Sequence, residues 1–226
     1  MNVARLAAAG LLMGAAWVYY RTANEQAGAG VVYEGWENIG TGGAGLLSQV
    51  SSAAVGLLDY AEGALAVLSL SKMKDVTPDM LANNNVKAFL RVIRTGEGTA
   101  GADGYRTLYG GAKFSGFADH PRQKVTAGKW TSTAAGAYQA LVSTWDETRR
   151  IMGLPDFSPA SQDLFALGRI AARGALNDVL AGRFDSAIRK CAWEWASLPG
   201  SPYGQPTISW ERAASLYASA GGVVLV

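Results

Sequence analysis

The carboxylate whose setting best suits acid–base chemistry is Glu97. It lies in the run Thr95-Gly-Glu-Gly-Thr99, directly after an amphipathic stretch with helical spacing. The glycines on either side leave the carboxyl open to a cleft, and the end of a helix gives it a rigid mount. Because a carboxylic acid that is partly shielded from water keeps its proton to higher pH, it can act as a general acid. The pattern therefore predicts Glu97 as a proton donor, with a solvated surface glutamate as the alternative.

Other common catalytic sets lack the residues that they need. The 226 residues include one cysteine, Cys191, and one histidine, His120, which excludes a Cys/His zinc site. The sequence has no glycine-rich phosphate loop, no nucleotide fingerprint and no nucleophile elbow for a serine triad. We therefore expect neither a metal nor a cofactor. Among the carboxylates, the closest rival of Glu97 is Asp119, either as the nucleophile or base of a hydrolase or as a residue that orients the cleft.

Aromatic and amide side chains follow Glu97 in a pattern typical of carbohydrate sites. Tyr138 and Gln139 stand together, and residues 193–205 are rich in aromatic side chains. Aromatic faces can stack on sugar rings, and amides can hydrogen-bond sugar hydroxyls. Some of these rings are expected in the core instead, among them Trp145 and Trp193.

The elements that position these residues are predicted to be mainly helical. Apolar spacing, caps and stop signals predict helices over residues 86–96, 137–152, 158–173, 184–197 and 210–220. An asparagine in the run Asn83-Asn84-Asn85 is expected to cap the first helix. Residues 104–117 are rich in glycine and aromatics, which predicts short strands and turns in a small sheet. The fold class is therefore α+β, mainly α.

The first 25 residues are predicted to form a membrane-anchor segment. Residues 6–20 are apolar and uncharged, and Arg5 and Arg21 flank them. Such a stretch spans a bilayer if both arginines extend toward the interface. The alternatives are a cleaved signal peptide and a helix buried against another protein.

Residues 26–83 are predicted to be a glycine-rich linker followed by an amphipathic helix. The apolar stripe over residues 46–68 recurs at helical steps. It is expected to lie on a membrane, on a protein partner or sister subunit, or on the downstream domain. We place the last domain boundary at residue 84, so that residues 84–226 form the third domain.

The charge is distributed unevenly between these parts. Residues 1–83 carry 4 basic and 7 acidic residues, whereas residues 84–226 carry 16 and 11. The formal net charge of +2 is too small to indicate a nucleic acid partner, and none is expected. The basic second part suits a polyanionic partner or forms a solvated surface.

Several stretches follow one another through residues 86–226 in an order more specific than any one motif. They are Lys87-Ala-Phe-Leu90, Glu97-Gly-Thr99, Asp119-His-Pro-Arg122, Ser132-Thr-Ala-Ala-Gly-Ala-Tyr-Gln139, Gly153-Leu-Pro-Asp-Phe-Ser-Pro159 with Ser161-Gln-Asp163, Arg173-Gly-Ala-Leu176, and Ala196-Ser-Leu-Pro-Gly200 with Tyr203-Gly-Gln205. On these residues the domain resembles the lambda endolysin family of lysozyme-like lytic transglycosylases, which implies a lysozyme-like fold. It departs from the family at Gly96, where a serine stands in the phage endolysin, and in a shorter segment after Glu97.

The resemblance implies cleavage of the β-1,4 bond between N-acetylmuramic acid and N-acetylglucosamine in peptidoglycan. Glu97 matches the catalytic glutamate of the family and would protonate the glycosidic oxygen. The ionised carboxylate would then take the proton of the muramic C6 hydroxyl as that oxygen attacks C1, which leaves a 1,6-anhydro sugar. This route needs no second carboxylate, unlike that of most glycosidases.

The matched positions also imply substrate contacts. Tyr138 and Gln139 would line the floor of the cleft, and Tyr203 would contact sugar from one lip. Asp119 would orient the cleft, and Arg122 would pair with a lactyl or peptide carboxylate or form a surface salt bridge.

The sequence is also compatible with other functions. One is a hydrolytic muramidase that uses Glu97 and Asp119, and another is a non-catalytic murein-binding or assembly protein. The N-terminal segments suggest an enzyme held at the bacterial inner membrane facing the periplasm, a virion enzyme in the viral membrane or entry apparatus, or a cellular wall-remodelling enzyme.

Overall fold

The computed structural model describes residues 68–128 and 130–225 as a mainly helical domain with one small sheet. Its α-helices and strands are α1 (Asn84–Gly96), β1 (Val125–Ala127), β2 (Trp130–Ser132), α2 (Val142–Met152), α3 (Pro159–Ala172), α4 (Leu176–Ala181), α5 (Phe184–Cys191) and α6 (Trp210–Ser219). Single 3₁₀ turns span Lys72–Asp75, Pro78–Ala82, Gly104–Arg106 and Tyr109–Gly111. The predicted α+β, mainly α class is confirmed.

Helix α1 forms where the sequence predicts it. The Asn83 side chain accepts hydrogen bonds from the backbone N–H groups of Asn85 and Val86, which caps the helix. Its buried stripe includes Phe89 and Ile93, which places the helix in the core against α6 and α4. Burying a Phe or Ile side chain contributes about 1.5–3 kcal/mol.

The C-terminal segment contacts the start of α1 and the residue that follows α4. The backbone N–H of Val223 donates to Asn85 Oδ1 at 2.8 Å, and that of Leu225 donates to the carbonyl of Gly182 at 2.9 Å. Gly182 has φ +76°, and a Cβ there would lie 2.1 Å from the Val223 carbonyl oxygen, so only glycine allows this approach.

The small sheet lies after the stretch in which it was predicted. Strands β1 and β2 form an antiparallel hairpin in which Val125 pairs with Ser132 and Ala127 with Trp130. The prediction of strands within residues 104–117 was wrong, because the two glycines at 110 and 111 have φ of +77° and +95° and turn the chain. That stretch contains 3₁₀ turns and the isolated pair Thr107–Lys113.

The predicted helix over residues 137–152 begins five residues later than expected, at Val142. Ala135 and Ala140 exchange backbone hydrogen bonds of 3.0 and 2.8 Å, which closes a tight turn over the intervening residues. Gly136 (φ +79°) and Gln139 (φ +47°) adopt left-handed conformations that a helix excludes. The predicted end is confirmed, since Gly153 caps α2 in the left-handed conformation.

Two further helix predictions differ from the structure. Helix α5 ends at Cys191 rather than Ser197. A series of turns follows it, and these turns place the side chains of Trp195 and Leu198 in the core. Helix α4 was not predicted, since its six residues are too few for a periodic signal. The predicted helices at α3 and α6 are confirmed within one residue at each end.

The core holds a cluster of aromatic rings. Trp145 is fully buried, as predicted, and its ring centroid lies 4.8 Å from that of Phe157 and 5.8 Å from that of Phe165. Trp193, also expected in the core, is half-buried, whereas Trp195 is buried.

Packing on this core begins before residue 84. Met73 is fully buried, and Met80 and Leu81 pack against the core cluster. The predicted anchor over 1–25, and all but residue 68 of the stripe over 46–68, lie outside the described residues. Within residues 68–128 and 130–225, no helix is both long enough and apolar enough to cross a bilayer.

Candidate active site

Glu97 occupies the position that the sequence predicts, at the carboxyl end of α1. Its backbone N–H donates to the carbonyl of Ile93 at 2.9 Å, and the next turn closes with Thr99 N–H donating to Arg94 at 2.8 Å. Gly98 has φ +71°, a conformation that favours glycine and lets the chain leave the helix directly after Glu97. The Glu97 residue is half-buried. The carboxyl therefore stands on a fixed backbone and is partly shielded from water.

Ser197 holds this carboxyl and was not predicted as a site residue. Its hydroxyl donates to Glu97 Oε1 at 2.7 Å from the loop after α5. Gly96 makes the approach possible, because a Cβ there would lie 2.6 Å from Ser197 Oγ. The only available sequence signal was the stretch Ala196-Ser-Leu-Pro-Gly200, since nothing in the local sequence connects residues 97 and 197.

Two further contacts bring a third segment to the site. The Thr99 hydroxyl donates to the carbonyl of Ala137, and the indole N–H of Trp195 donates to the carbonyl of Tyr138 at 3.2 Å. Ala137 N–H in turn donates to Gln162 Oε1 at 2.8 Å. The end of α1, the turn before α2 and the loop after α5 therefore meet around Glu97.

The structure buries Tyr138 instead of presenting its ring at the surface. The residue is 3% exposed, and its hydroxyl donates to Asp163 Oδ1 at 2.6 Å. Burial, together with the negative charge of Asp163, raises the pKa of Tyr138 well above its usual value, so the phenol remains a proton donor. The ring thus supports the turn from inside, and direct contact of Tyr138 with a substrate stays a prediction.

Gln139 follows in a left-handed conformation that few residues other than glycine adopt. Its amide nitrogen donates to the carbonyls of Thr107 and Gly136 at 3.1 and 3.0 Å. These bonds fix the side chain across the turn. The residue is half-buried, and its role toward a substrate stays a prediction.

Asp119 is the acceptor in an ion-pair network. Its Oδ1 accepts from Trp145 Nε1 at 3.1 Å and from Arg149 Nη1 at 2.9 Å, and its Oδ2 accepts from Arg122 Nε at 3.0 Å. Partial burial opposes ionisation of Asp119, but hydrogen bonds, first among them that from Trp145, outweigh it and lower the pKa of the carboxyl. The guanidinium of Arg122 also forms a bidentate pair with Asp146 at 2.9 and 2.6 Å.

His120 connects this network to the turn that carries Tyr138. Its Nδ1 accepts from the backbone N–H of Arg122 at 3.1 Å, so its Nε2 donates to the carbonyl of Ala140 at 2.9 Å. Burial lowers the pKa of His120, which favours this neutral form. The cleft-orienting role of Asp119 and the carboxylate-binding role of Arg122 stay predictions.

Tyr203 lies on the loop that follows Ser197. Its hydroxyl donates to the carbonyl of Trp193 at 2.9 Å, and the two rings meet edge to face with centroids 6.5 Å apart. The residue is half-buried, and its contact with sugar stays a prediction. Across the described part of the chain, no group of three or more His, Cys, Asp or Glu residues could hold a metal ion.

Comparison with known proteins gives consistent matches over this domain. The family model described as Endolysin matches residues 87–224. The chain is 43% identical over 149 residues to the endolysin of Escherichia phage lambda, covering 63% of this chain and 94% of that protein. It is 39% identical over 162 residues to the endolysin of Escherichia phage P2, covering 65% and 98%.

Solved structures agree with these sequence matches. Bacteriophage lambda lysozyme complexed with a chitohexasaccharide superposes with a TM-score of 0.60 at 42% identity, covering 63% of this chain and 97% of the other. A second structure of lysozyme from bacteriophage lambda gives a TM-score of 0.56 at 44% identity with the same coverage. The small sheet and the surrounding helices are therefore arranged as in a lysozyme-like fold.

Proposed function

This chain belongs to the endolysin family, and from that membership we propose that it degrades peptidoglycan, with Glu97 transferring the protons. The observation that carries the proposal is the half-buried carboxyl at the end of α1, held by Ser197 where three segments meet. The glycan-bound lambda lysozyme of similar structure supports a glycan strand as the substrate. We further propose that the reaction is that of a lytic transglycosylase.

The hydrogen bond from Ser197 bears on which oxygen of Glu97 carries the proton. While the hydroxyl donates to Oε1, that oxygen is an acceptor, so the proton of the acid is proposed to reside on Oε2. Glu97 then protonates the glycosidic oxygen as the C1–O bond breaks and C1 gains oxocarbenium character. The C6 hydroxyl of the muramic residue attacks C1 and gives its proton to the ionised carboxylate, which restores the acid.

The surroundings of Asp119 support this route over a hydrolytic one. A retaining or inverting glycosidase needs a second carboxylate as nucleophile or base. Both oxygens of Asp119 already accept hydrogen bonds from Trp145, Arg149 and Arg122, so the carboxylate is engaged in an ion-pair network. We therefore propose that Asp119 orients the cleft wall through this network. Gln139 and Tyr203 are proposed to contact sugar, because both are half-buried and fixed by hydrogen bonds.

The test compares the full-length protein with Glu97→Gln on purified murein. We expect the unaltered protein to clear the suspension and the variant to lose at least about a thousandfold in rate, as removal of the principal proton-transfer group does. Mass spectrometry of the fragments then identifies the reaction, because a 1,6-anhydro product is one water lighter than a hydrolytic product. Equal clearing by both proteins would refute the role of Glu97, and reducing muramic ends as sole product would make the enzyme a hydrolase. Binding without clearing by either protein would favour a murein-binding protein.

We also propose, from the sequence of residues 6–20, that the enzyme is tethered to a membrane in the periplasm or in a virion. Fractionation of cells that produce the full chain or residues 68–226 tests this, because the tether predicts that only the full chain sediments with membranes. Recovery of both forms in the soluble fraction would refute it.

A further inference from the structure

A cluster centred on Asp163 lies inside the domain and has no part in the chemistry described above. Asp163 Oδ1 accepts from the hydroxyls of Tyr138 at 2.6 Å and Tyr105 at 2.9 Å. The Arg94 guanidinium stacks on the Tyr105 ring at 4.4 Å and donates from Nη1 to its hydroxyl at 3.3 Å. One carboxylate oxygen of Asp163 therefore accepts hydrogen bonds from two tyrosine hydroxyls, and Arg94 contacts one of these tyrosines.

Retaining a carboxylate at this place is costly for stability. Burial raises the pKa of Asp163 even though both tyrosines donate to it, so the cost of burying the ionised form exceeds the stabilisation that these hydrogen bonds give it. Burial also raises the pKa of Tyr105 to about 12, which keeps the phenol protonated and able only to donate toward the carboxylate. An apolar cluster of similar volume would stabilise such a site at least as well. The benefit of these groups therefore lies in what they hold in place.

The first connection from this cluster to Glu97 runs through Arg94. This residue lies on α1 one turn before Glu97, and its Nη2 donates to the carbonyls of Thr99 at 3.2 Å and Gly101 at 3.3 Å. These carbonyls follow Glu97 directly in the chain. A Cβ at Gly104 would lie 1.8 Å from the Thr99 carbonyl oxygen, so the surrounding backbone is packed closely against the same turn.

The second connection runs through Tyr138. With its hydroxyl fixed on Asp163, its backbone carbonyl accepts from Trp195 Nε1 at 3.2 Å. Trp195 lies two residues before Ser197 on the loop after α5, and the Ser197 hydroxyl holds Glu97 Oε1 at 2.7 Å. The two connections thus reach the catalytic carboxyl from its own backbone and from its hydrogen-bond partner.

We propose that Asp163 is a positioning residue for the reaction, which sets Glu97 and Ser197 relative to each other by holding Tyr105 and Tyr138 together. It acts through these residues and does not touch substrate. This inference rests on the proposed function of Glu97 and extends it to a residue of α3.

The test measures kcat, KM and Tm of full-length Asp163→Asn on soluble murein fragments. The asparagine keeps the shape but replaces a charged acceptor by a weaker neutral one. We expect kcat to fall about tenfold with KM within about twofold, because misplacing a catalytic group impairs the chemical step more than binding. The matched control is Asp178→Asn, which removes a buried carboxylate from a cluster with Arg183, Ser186 and Lys190. It should lower Tm and leave kcat unchanged.

A double-mutant cycle with Ser197→Ala separates positioning from general stability. If Asp163 acts by placing Ser197 against Glu97, the combined loss in kcat is smaller than the product of the two single losses, while the losses in Tm add. Tyr105→Phe provides the same measurement if Asp163→Asn fails to fold. A kcat within about twofold of the unaltered protein for a folded variant, or multiplicative losses with Ser197→Ala, would overturn the proposal. In that case the unaltered protein would still clear murein and Glu97→Gln would not, whereas failure of the proposed function would appear as equal clearing by these two proteins or as no clearing by either.

Discussion

Replacing Ser197 by alanine should change the pH dependence of the reaction as well as its rate. The hydroxyl donates to Glu97 Oε1 at 2.7 Å in a half-buried setting, and such a bond favours the ionised carboxylate over the neutral acid. Without this bond, the alkaline limb of the profile, where the acid loses its proton, is expected to move to higher pH. The sign follows from losing a donor, since the carboxyl then keeps its proton to higher pH.

The rate at the optimum should also fall, by about tenfold, because Glu97 loses the contact that selects its rotamer and its protonated oxygen. Initial rates of murein clearing between about pH 4 and 9, a range over which the domain is expected to stay folded, measure both the shift of the alkaline limb and the loss of rate. The matched control is Ser209→Ala, which removes the cap that accepts from Arg212 N–H at 3.2 Å at the start of α6. It should cost about 1 kcal/mol of stability and leave both limbs in place. An unshifted profile with a rate within about twofold of the unaltered protein would refute the role given to Ser197.

Three other predictions concern the elements around the site. Gly96→Ala places a Cβ 2.6 Å from Ser197 Oγ, so it should lower the rate of murein clearing about tenfold. The same substitution should have little effect on the rate in a Ser197→Ala background, and equal effects in both backgrounds would contradict this. Asp178→Asn should lower the free energy of unfolding by about 1.5–3 kcal/mol at neutral pH. Burial opposes ionisation of Asp178, but hydrogen bonds led by that from Lys190 lower its pKa. The difference in stability between the two proteins should therefore vanish as the pH falls and Asp178 becomes protonated. Urea titrations that show the same difference at every pH would contradict this. Phe157→Ala, at a fully buried ring, should cost about 3–5 kcal/mol in urea unfolding, and a loss below about 1 kcal/mol would show that the core repacks.

Local signals predicted well the helix end that carries the Glu97 carboxyl. The asparagine cap at residue 83 and the glycine after Glu97 fix both ends of α1 through contacts within a few residues. The end of α2 at Gly153 and the start of α3 at Ser158 are likewise local signals, and the structure confirms both. Short-range chemistry of this kind can be read from the sequence because its partners are adjacent in the chain.

The rest of the site depends on contacts that sequence spacing does not encode. Ser197 lies a hundred positions from Glu97, and the Tyr138 ring looked suited to a sugar until its hydroxyl proved to be held by Asp163. The turn that carries Tyr138 and Gln139 was predicted to be helical, but the pairing of Ala135 with Ala140 and the left-handed backbone at Gly136 and Gln139 exclude a helix. Tertiary packing therefore decided each of these differences.

The separation between Glu97 and its hydroxyl donor has a consequence for protein synthesis. The acid-bearing helix leaves the ribosome long before the loop that contains Ser197, and the segment that secures the start of that helix at Asn85 follows later still. Contacts so distant along the chain form late in folding, because a large loop must close first. If Glu97 has the proposed role, a nascent chain carries this acid without the hydroxyl that holds it, and catalytic competence arises only when nearly the whole domain has been translated.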